Sequence, residues 1–516
     1  MMLGIDMNGS RIRALQGPAA DFPLPVPLDP PGQDLPMILS LANGSIEVGS
    51  AGHRLSRKQP HLTCHGFLPH LGKADGDTIP RQWRGGKHEL DADEAMALVW
   101  KRLEPMCRKS AGVILGLPSY LNPAQADLIR GHGTKLRLPV LGSLPIPLAG
   151  ALAGYAEQTW SDSVIVLYID DHALSIVQVR AVDGQAHVLD AKHLPHLGFR
   201  AWRERLLNAL ADLCVLQSRR DPRASPSAEQ GLFEQLDGLL DACHKNRMVQ
   251  LGIQAAAWYQ NLVLQPEKIV GFCAGLIRQV VQEVDAFWSN FRREDEYFSR
   301  AGFSQDGTGG RAVLLTTQMV GRLPGLIAAL RNLVDSRRDT MKPVLAEGEG
   351  EDFGANLMGD IQTDTGSVMV LGPDAPARAI HGLGQHFQRG DLKGHLELVA
   401  PLPRPTSVDL GPARLHHQGH DFLLNEHNLF LGSQDGVHLV VDDSRHAGSD
   451  ARHCEIVLDQ RTYILFNRHR DGTLVNDYPV HGSVVLRPGD WVRLGVEGPA
   501  ARFLGQASNN RTPLTA

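Results

Sequence analysis

Two short polar turns contain the residues of this chain that are best suited to bind an anion or a metal ion. The first turn contains Asn8, Gly9 and Ser10 and follows an apolar stretch. Glycine in such a turn lets backbone N–H groups approach an anion closely. The second turn contains the adjacent carboxylates Asp170 and Asp171. They either form an ordinary solvated hairpin turn or bind Mg²⁺ together with water, and we expect the solvated turn.

The segments around these turns alternate between strand and helix, which predicts a mixed α/β fold. Residues 3–15 predict a strand, a glycine-containing turn and a second strand. Apolar runs predict strands at 113–117, 164–169 and 173–179, a further apolar segment at 136–144, and helices at 123–130 and 147–157. Pro123 occupies the first position of its helix, where proline is favoured. Residues 91–109, 232–251, 266–301 and 323–335 predict further helices, and residues 311–317 predict a further strand.

The order of these elements resembles the nucleotide-binding domain of the actin fold, in the form found in DnaK-type heat-shock chaperones. The residues that match are Pro118, Pro123, Gln125, Pro147, Ala149, Ala151, Leu152 and Ala153. Gly4-Ile5-Asp6 matches the start of the family's first phosphate-binding hairpin, and residues 368–384 resemble its closing strand and helix. The resemblance covers about residues 1–400. It implies a two-lobed, actin-like α/β fold and ATP with Mg²⁺ as the cofactor.

Several positions of the nucleotide site depart from the family's pattern. The second hairpin has lost three glycines and contains Asp170 and Asp171 instead. The family's glutamate before Pro147 is Ile146, which can neither accept a proton nor orient water. We therefore expect that hydrolysis has been lost. The positions that the resemblance assigns to a nucleotide are Asp6, Asn8, Gly9, Ser10, Asp170, Asp171, His244 and Arg247 (for the family's Glu and Lys), and Thr316 and Thr317 (for its Gly-Gly).

The chain changes character after residue 400. The Pro-rich stretch at 401–405 predicts an extended linker over 401–411. Short strands separated by turn signals then predict an antiparallel β-sandwich over residues 412–506, and we expect a disordered tail at 507–516. The predicted strands are 422–424, 429–431, 437–441, 453–458, 462–466, 473–475, 483–486 and 491–494.

This C-terminal stretch resembles a forkhead-associated (FHA) domain. The matching residues are Gly472, Thr473, Val475, Asn476, Leu486, Gly489 and Asp490. Three residues that the family uses to recognise phosphothreonine, an Arg, a Ser and an Asn, are here Ser433, Asp450 and Asp471. Loss of the Arg removes a bidentate, charge-assisted contact, so we expect an unmodified protein partner. In the alternative, Arg452, Arg468 or Arg470 rebuilds an anion site. The partner-binding positions are Ser433, Asp450, Arg452, His453, Arg468, Arg470, Asp471 and Asn476.

Composition and charge exclude several classes of protein. Hydrophobic residues make up 42% of the chain and the net charge is -6, which excludes a globally basic nucleic-acid binder. Six scattered cysteines and the lack of an apolar leader predict a reducing cytoplasm. No apolar run is long enough to predict a membrane span. We expect His416, His417 and His420 to be polar loop residues rather than a metal site, because no Cys or carboxylate completes the set.

These observations leave two main hypotheses for function. The first is a non-catalytic cytoplasmic scaffold or adaptor, with an FHA-like module that binds a protein partner and with no cofactor or metal. The alternative is a divergent DnaK-family protein that binds and hydrolyses ATP, and whose FHA-like module recruits a partner containing phosphothreonine. The eroded nucleotide motifs favour the first. A chaperone is disfavoured because no DnaK-type peptide-binding domain follows the linker.

Overall fold

The structure is a computed structural model. It describes residues 1–18, 23–42, 44–72, 81–157, 163–300, 313–339, 368–403, 413–417, 420–424, 429–432, 439–440, 453–459, 462–468, 472–480, 483–486, 490–495 and 500–504. Contacts divide the chain into two units, Met1–Pro403 and Arg404–Ala516. The division lies within the Pro-rich stretch in which the sequence places a linker.

The first unit contains two large sheets, and each defines one lobe. The sheet of the first lobe begins with an antiparallel hairpin, Met2–Met7 with Arg11–Gly17, and Gly112–Leu117 then pairs parallel to Met2–Met7. The buried central strands are apolar along nearly their whole length, as expected of strands covered on both faces. The strand order is Gly394–His395, Val140–Pro145, Gly112–Leu117, Met2–Met7, Arg11–Gly17 and Leu24–Val26, and Leu35–Pro36 also pairs with Arg11–Gly17.

The sheet of the second lobe repeats this plan. Its antiparallel hairpin is Ser163–Ile169 with Leu174–Val182, and Val313–Thr316 pairs parallel to the first of these strands. The repetition gives each lobe a hairpin turn at an equivalent place. The strand order is Val368–Val370, Val313–Thr316, Ser163–Ile169, Leu174–Val182, Gln185–Leu194 and Val399–Pro401.

Helices separate the two sheets and cover their outer faces. Ile146–Glu157 and Ala375–Gly382 pack on each other and share one apolar core with residues of both sheets, among them Ile114 and Val166. A second core around Trp100 covers the first sheet, and a third around Trp202 covers the second. The other helices on these faces are Ala92–Cys107 and Pro123–Lys135 in the first lobe, and Phe199–Ser218, Pro266–Arg300, Gln318–Gly321 and Leu326–Asp339 in the second. Gly384–Arg389 contacts the first sheet.

Smaller elements extend each lobe. In the first lobe, Ile38–Ser40 pairs with Glu47–Val48 and Thr63–His65, and the helix Ser50–His53 packs on it. In the second lobe, the helices Pro226–Glu234 and Leu236–His244 pack near the hairpin Val249–Ala255 and Trp258–Leu264. The remaining short elements are Trp83–Gly85, His88–Leu90 and the 3₁₀ turns Pro60–Leu62, Leu68–His70, Pro195–Leu197 and Pro222–Ala224.

Helix starts follow from local sequence, whereas some helix ends do not. Asp91 and Asn122 each cap a helix by accepting a hydrogen bond from the N–H three residues later. The helix predicted at 123–130 continues to Lys135. The helix predicted at 232–251 is wrong: one helix ends at Glu234 and a second spans Leu236–His244. Asn246 then adopts a left-handed backbone with φ 53°, and residues 249–255 form a strand. Pairing with Trp258–Leu264 overrides the helical pattern there.

The first residues of the linker stretch belong to the first unit. Val399–Pro401 is an edge strand antiparallel to Gln185–Leu194, and Leu402 N–H donates to the Gly184 carbonyl at 2.9 Å. Proline is tolerated in an edge strand. The prediction that the linker begins at residue 401 is therefore corrected to a later position, and residues 404–411 lie outside the described residues.

The described residues of the second unit form two β-sheets with a common core. Leu415 and Phe503 of one sheet pack with Ile456, Tyr463 and other apolar residues of the second. The order in the first sheet is His420–Leu424, Ala413–His417, Ala500–Leu504, Trp491–Leu494, Thr473–Val475 and Tyr478–Pro479. The order in the second is Leu439–Val440, Leu429–Gly432, Cys454–Asp459, Thr462–Asn467 and Ser483–Leu486.

Two further observations bear on the sequence predictions. His416, His417 and His420 were expected in a loop, but they lie in the paired strands Ala413–His417 and His420–Leu424, where His417 pairs with His420. Strand pairing of Ala413–His417 with Ala500–Leu504 draws these residues into the sheet.

Within the described ranges, no helix is both long and apolar enough to cross a membrane.

Candidate functional site

The two hairpin turns meet between the lobes, and a carboxylate of one turn binds the backbone of the other. The Gly9 N–H donates to Asp170 Oδ2 at 2.9 Å, across 161 residues of sequence. Ser10 Oγ donates to Asp171 Oδ1 at 2.6 Å and accepts from the Asp171 N–H at 2.8 Å. The donors of the first turn that could bind an anion therefore bind carboxylates of the protein itself.

Asp170 is fully buried and saturated with hydrogen bonds. Oδ2 accepts from Gly9 and from the Tyr120 hydroxyl at 2.7 Å, and Oδ1 accepts from the N–H groups of His172 at 2.9 Å and Ala173 at 3.2 Å. Only the ionised carboxylate accepts so many donors well. Burial raises the pKa of Asp170, while these donors act in the opposite direction. The expectation of a solvated turn is wrong, because Asp170 is buried and its carboxyl group is bound by donors of the chain itself.

Asp171 forms the outer part of the same contact. It is paired with Arg203, whose side chain lies over the ring of Phe199 at 4.9 Å. The two side chains of the ion pair are only 17% and 22% exposed. An ion pair this far from solvent is screened less by salt than one on the surface. Asp171 thus links the first hairpin, through Ser10, to the helix Phe199–Ser218.

Two glycines make room for the second turn. A Cβ atom on Gly9 would lie 2.5 Å from His172 Cδ2 and 3.0 Å from Asp170 Oδ2. A Cβ atom on Gly198 would lie 2.7–2.8 Å from the backbone of His172 and Ala173. The Gly198 contact is to backbone atoms and is shorter than a real Cβ atom tolerates, so glycine there permits close backbone packing beside the second turn. Glycine at position 9 leaves room for the His172 ring and the Asp170 carboxylate of the facing turn.

A small cleft remains beside this contact. Asp6 is buried and accepts from Asn8 Nδ2 at 3.2 Å, and burial raises its pKa. Arg11 is held by Asp34 at 2.6 Å, so its charge is already compensated. The residues that line the cleft are Asp6, Asn8, Ser10, Arg11, Tyr168, Ile169, Thr317, Gln318, Met319, Gly372, Pro373 and Pro376.

Two hydroxyl groups in this cleft have no protein partner in the structure. They are the buried Tyr168 OH and Thr317 Oγ1. The pKa of Tyr168 lies well above its ordinary value, mainly because of burial and then because of the nearby Asp170 charge. Tyr168 is therefore a neutral hydrogen-bonding group. A buried hydroxyl without a partner costs about 1–3 kcal/mol, so water is the simplest occupant of such a polar cleft.

The other residues that the family resemblance assigns to nucleotide binding either pack in the protein interior or lie away from the cleft. Ile146 is completely buried in the apolar interior. Thr316 lies within the second sheet, where its Oγ1 donates to the Met369 carbonyl at 3.2 Å. His244 ends the helix Leu236–His244, Arg247 follows it, and neither lines the cleft. The structure thus brings together Asp6, Asn8, Gly9, Ser10, Asp170, Asp171 and Thr317, but not His244 and Arg247.

Sequence reasoning missed Tyr120 and Arg203, which complete the contact. Tyr120 follows two residues after Pro118, one of the residues that carried the family resemblance, and that proximity was an available signal. Arg203 lies in an ordinary amphipathic helix and offers no such signal. Among the described residues, no group of three or more His, Cys, Asp or Glu side chains is arranged to hold a metal ion.

In the second unit, three of the assigned residues can be placed. Arg468 donates to Glu455 Oε2 at 2.8 Å and lies over the Phe466 ring at 5.4 Å. Asn476 donates to Asp490 Oδ1 at 2.7 Å and accepts from the Trp491 N–H at 3.0 Å. The His453 carbonyl accepts from the Arg468 N–H at 2.9 Å. The other five positions, Ser433, Asp450, Arg452, Arg470 and Asp471, lie outside the described residues.

Comparison with known proteins gives one distant relationship. No protein-family model matches the chain. The chain is similar to chaperone protein dnaK3 of Synechocystis sp., with 22% identity over 214 residues. The alignment covers 37% of this chain and 28% of the relative, so the chain spans less than a third of that protein's length. This similarity suggests a distant Hsp70-like relationship, and the two α/β lobes are compatible with an actin-like fold.

Proposed function

We propose that the first unit is a DnaK-type, actin-fold body that neither uses ATP nor hydrolyses it, and that the chain works as a non-catalytic scaffold or adaptor. One observation carries this proposal: the Asp170 carboxylate accepts the Gly9 N–H, at the hairpin turn where the family cradles phosphate. A donor that is already bound to an internal carboxylate is not available to a nucleotide.

Electrostatics strengthens the argument against a bound triphosphate. Two like charges about 4 Å apart repel by about 4 kcal/mol at an effective dielectric constant of 20. A phosphate at the first hairpin would meet Asp170, which is fully buried, and Asp171 beside it. It would also have to compete with the carboxylate for the Gly9 N–H, while three further donors hold that carboxylate in place. Both effects weaken binding of an anionic ligand.

The proposal is also supported by the replacement of a group that hydrolysis needs. The family's acid/base carboxylate is replaced by the buried Ile146, which cannot orient an attacking water. Asp6 remains in the cleft, but the pKa of its carboxyl is raised by burial, and its oxygen accepts from Asn8. Without a second carboxylate, no described residue of the cleft is placed to activate water.

A calorimetric titration of the full chain with ATP, with and without Mg²⁺, tests the proposal. We expect no binding heat and no phosphate release. In a matched variant, Asp170→Gly with Asp171→Gly, the repulsion is removed and the Gly9 donor is freed, so we expect detectable binding of ATP. Micromolar binding to the unaltered chain, or phosphate release that Asp6→Ala abolishes, would overturn the proposal in favour of the divergent ATPase.

In the same proposal, the second unit is an FHA-like module that binds a protein partner. This binding does not require the partner to be phosphorylated. Its support is that Arg468 is already paired with Glu455, and that both polar ends of the Asn476 amide are occupied by Asp490 and Trp491. The polar groups of these side chains already have partners within the second unit, so they support its structure and are not available to bind an anion.

A phosphothreonine peptide library presented to the full chain tests this assignment. We expect no enrichment of phosphorylated peptides over their unmodified forms. Micromolar binding that is lost on dephosphorylation and on Arg468→Ala would instead support the alternative, in which the module recruits a phosphothreonine-containing partner. Arg493→Ala is the matched control, since Arg493 pairs with Asp477 in the same unit.

We also propose a cytoplasmic location. The support is that all six cysteines are free and buried, with no pair forming a disulfide, as is usual where thiols are kept reduced. Burial raises the pKa of Cys64, Cys107 and Cys273 to about 12. These thiols are therefore unreactive packing residues.

A further inference from the structure

The two lobes of the first unit touch at a second place, away from the hairpin turns. In the first lobe the contact is made by the helix Ser50–His53 and the residues that follow it to Lys58. In the second lobe it is made by the helices Phe199–Ser218 and Pro226–Glu234. We call this set of contacts the interlobe clamp. None of its residues belongs to the nucleotide positions that the sequence indicates.

Gln230 is the centre of the clamp. Its Oε1 accepts from the N–H groups of Arg57 at 2.8 Å and Lys58 at 3.3 Å. Its Nε2 donates to the His53 carbonyl at 3.0 Å and to Glu234 Oε1 at 2.8 Å. The residue is 5% exposed. One buried side chain of the second lobe thus satisfies three backbone groups of the first.

Arg57 closes the same contact from the first lobe. Its guanidinium is paired with Glu204 and lies 3.6 Å from Glu229 Oε1, and it lies over the Phe233 ring at 5.0 Å. The Arg57 side chain is 22% exposed. A partly buried cation that has two carboxylates and an aromatic face holds a more defined position than a surface ion pair does.

Aromatic packing completes the contact. The rings of His53 and Phe233 are 5.0 Å apart, and Arg203, which also binds Asp171, lies over the Phe233 ring at 5.4 Å. Arg203 and Phe233 therefore connect the clamp to the hairpin contact. The two contact regions form one continuous set of side chains between the lobes.

We propose that Gln230 and Arg57 form a ligand-independent clamp that keeps the two lobes closed. The closed state then needs no nucleotide, because buried hydrogen bonds and an ion pair of the chain itself hold it. The clamp is a conformational device of the first unit. It does not depend on whether the second unit binds a partner, nor on the outcome of an ATP titration.

Amide hydrogen exchange on the full chain without nucleotide tests the clamp. In Gln230→Ala and Arg57→Ala, we expect exchange in residues 50–58 and 226–234 to be faster by about tenfold or more, because the opening of both segments becomes easier. Exchange in the central strand Gly112–Leu117 should not change. Arg84→Ala is the matched control, since Arg84 is 71% exposed and pairs with Glu89 and Gln82 of its own lobe.

Unchanged exchange in both segments of a folded Gln230→Ala protein would overturn the clamp. If Gln230→Ala fails to fold, as judged by lost protection of the central strand, Gln230→Glu replaces it. Glutamate keeps the acceptor for Arg57 but loses the donor to His53 and repels Glu234, so we expect faster exchange in the same two segments. Unchanged exchange in that variant would also contradict the proposal. Neither result bears on ATP binding, which the titration decides separately.

Discussion

Replacing Asp170 by alanine is expected to lower the unfolding free energy of the first unit by roughly 3–5 kcal/mol. The substitution leaves four donors without their acceptor: the N–H groups of Gly9, His172 and Ala173, and the Tyr120 hydroxyl. Each unsatisfied buried donor costs about 1–3 kcal/mol. The total stays below the sum of four such terms, because water enters the space that the side chain leaves.

Asp170→Asn separates the role of the charge from the role of the shape. The amide oxygen can still accept from His172 and Ala173, and the Tyr120 hydroxyl can turn to accept from the new NH₂ group. The NH₂ group then faces the Gly9 N–H, so one hydrogen bond between the lobes is replaced by two opposed donors. We expect a loss of about 1–3 kcal/mol, clearly smaller than for alanine.

Urea unfolding followed by tryptophan fluorescence measures both variants. Trp491 is the one tryptophan of the second unit in the sequence, so a Trp491→Phe background makes the signal report the first unit alone. Asp190→Asn is the control, because Asp190 is exposed and, among the described residues, accepts from its neighbour Ala191 alone. The reasoning fails if both Asp170 variants unfold within about 0.5 kcal/mol of this control, the usual range for surface substitutions.

Two further predictions concern pH and packing. Burial and then Arg200 lower the pKa of His65 from 6.5 to about 4, so the stability from neutral His65 is full above pH 6.5 and is lost as the pH falls through about 4. Between pH 7.5 and 4.5 we expect a loss of roughly 1–2 kcal/mol relative to His65→Gln, measured by urea midpoints, and equal losses would contradict this. In the helix Pro123–Lys135, a Cβ on Gly133 would lie 2.7 Å from Val140 Cγ2, whereas one on Gly131 meets nothing within 4 Å. Gly133→Ala should therefore destabilise by about 1–3 kcal/mol and Gly131→Ala should stabilise by about 0.5–1 kcal/mol, and thermal melts with the opposite order would refute the packing argument.

Local sequence predicted those parts of the fold in which local physics decides. The strands of the second unit were recognisable because short apolar segments alternate with turn signals, and Pro123 marked the start of its helix, which Asn122 caps in the structure. The break near Asn246 was missed because pairing between two distant strands overrode a helical pattern. Such pairing is a property of the folded chain and not of a short window.

The candidate site was only half predictable for a similar reason. The sequence predicted two unrelated roles for Gly9 and Asp170. Gly9 was expected to help bind a phosphate through backbone N–H groups, and Asp170 was expected to be a solvated carboxylate. Their hydrogen bond spans 161 residues, and no window of sequence contains both. The clamp residues Arg57 and Gln230 are likewise distant in sequence. Charges and donors could be identified one by one, but their mutual compensation depends on how the lobes pack.

The contact between the turns also gives a reason why a hairpin that resembles the family's phosphate-binding hairpin is stable in this chain without a ligand. The buried N–H of Gly9 needs an acceptor, and leaving it without one would cost about 1–3 kcal/mol. Asp170 supplies that acceptor from the same chain, so no free ligand has to lose translational and rotational freedom to occupy the site. Donor and acceptor are therefore matched whenever the lobes are closed, at any concentration of nucleotide. A cycling ATPase requires closure to depend on its ligand, whereas a scaffold requires a closed form that is always present. Under the proposed function, the internal carboxylate satisfies the requirement of a scaffold and not that of a cycling ATPase.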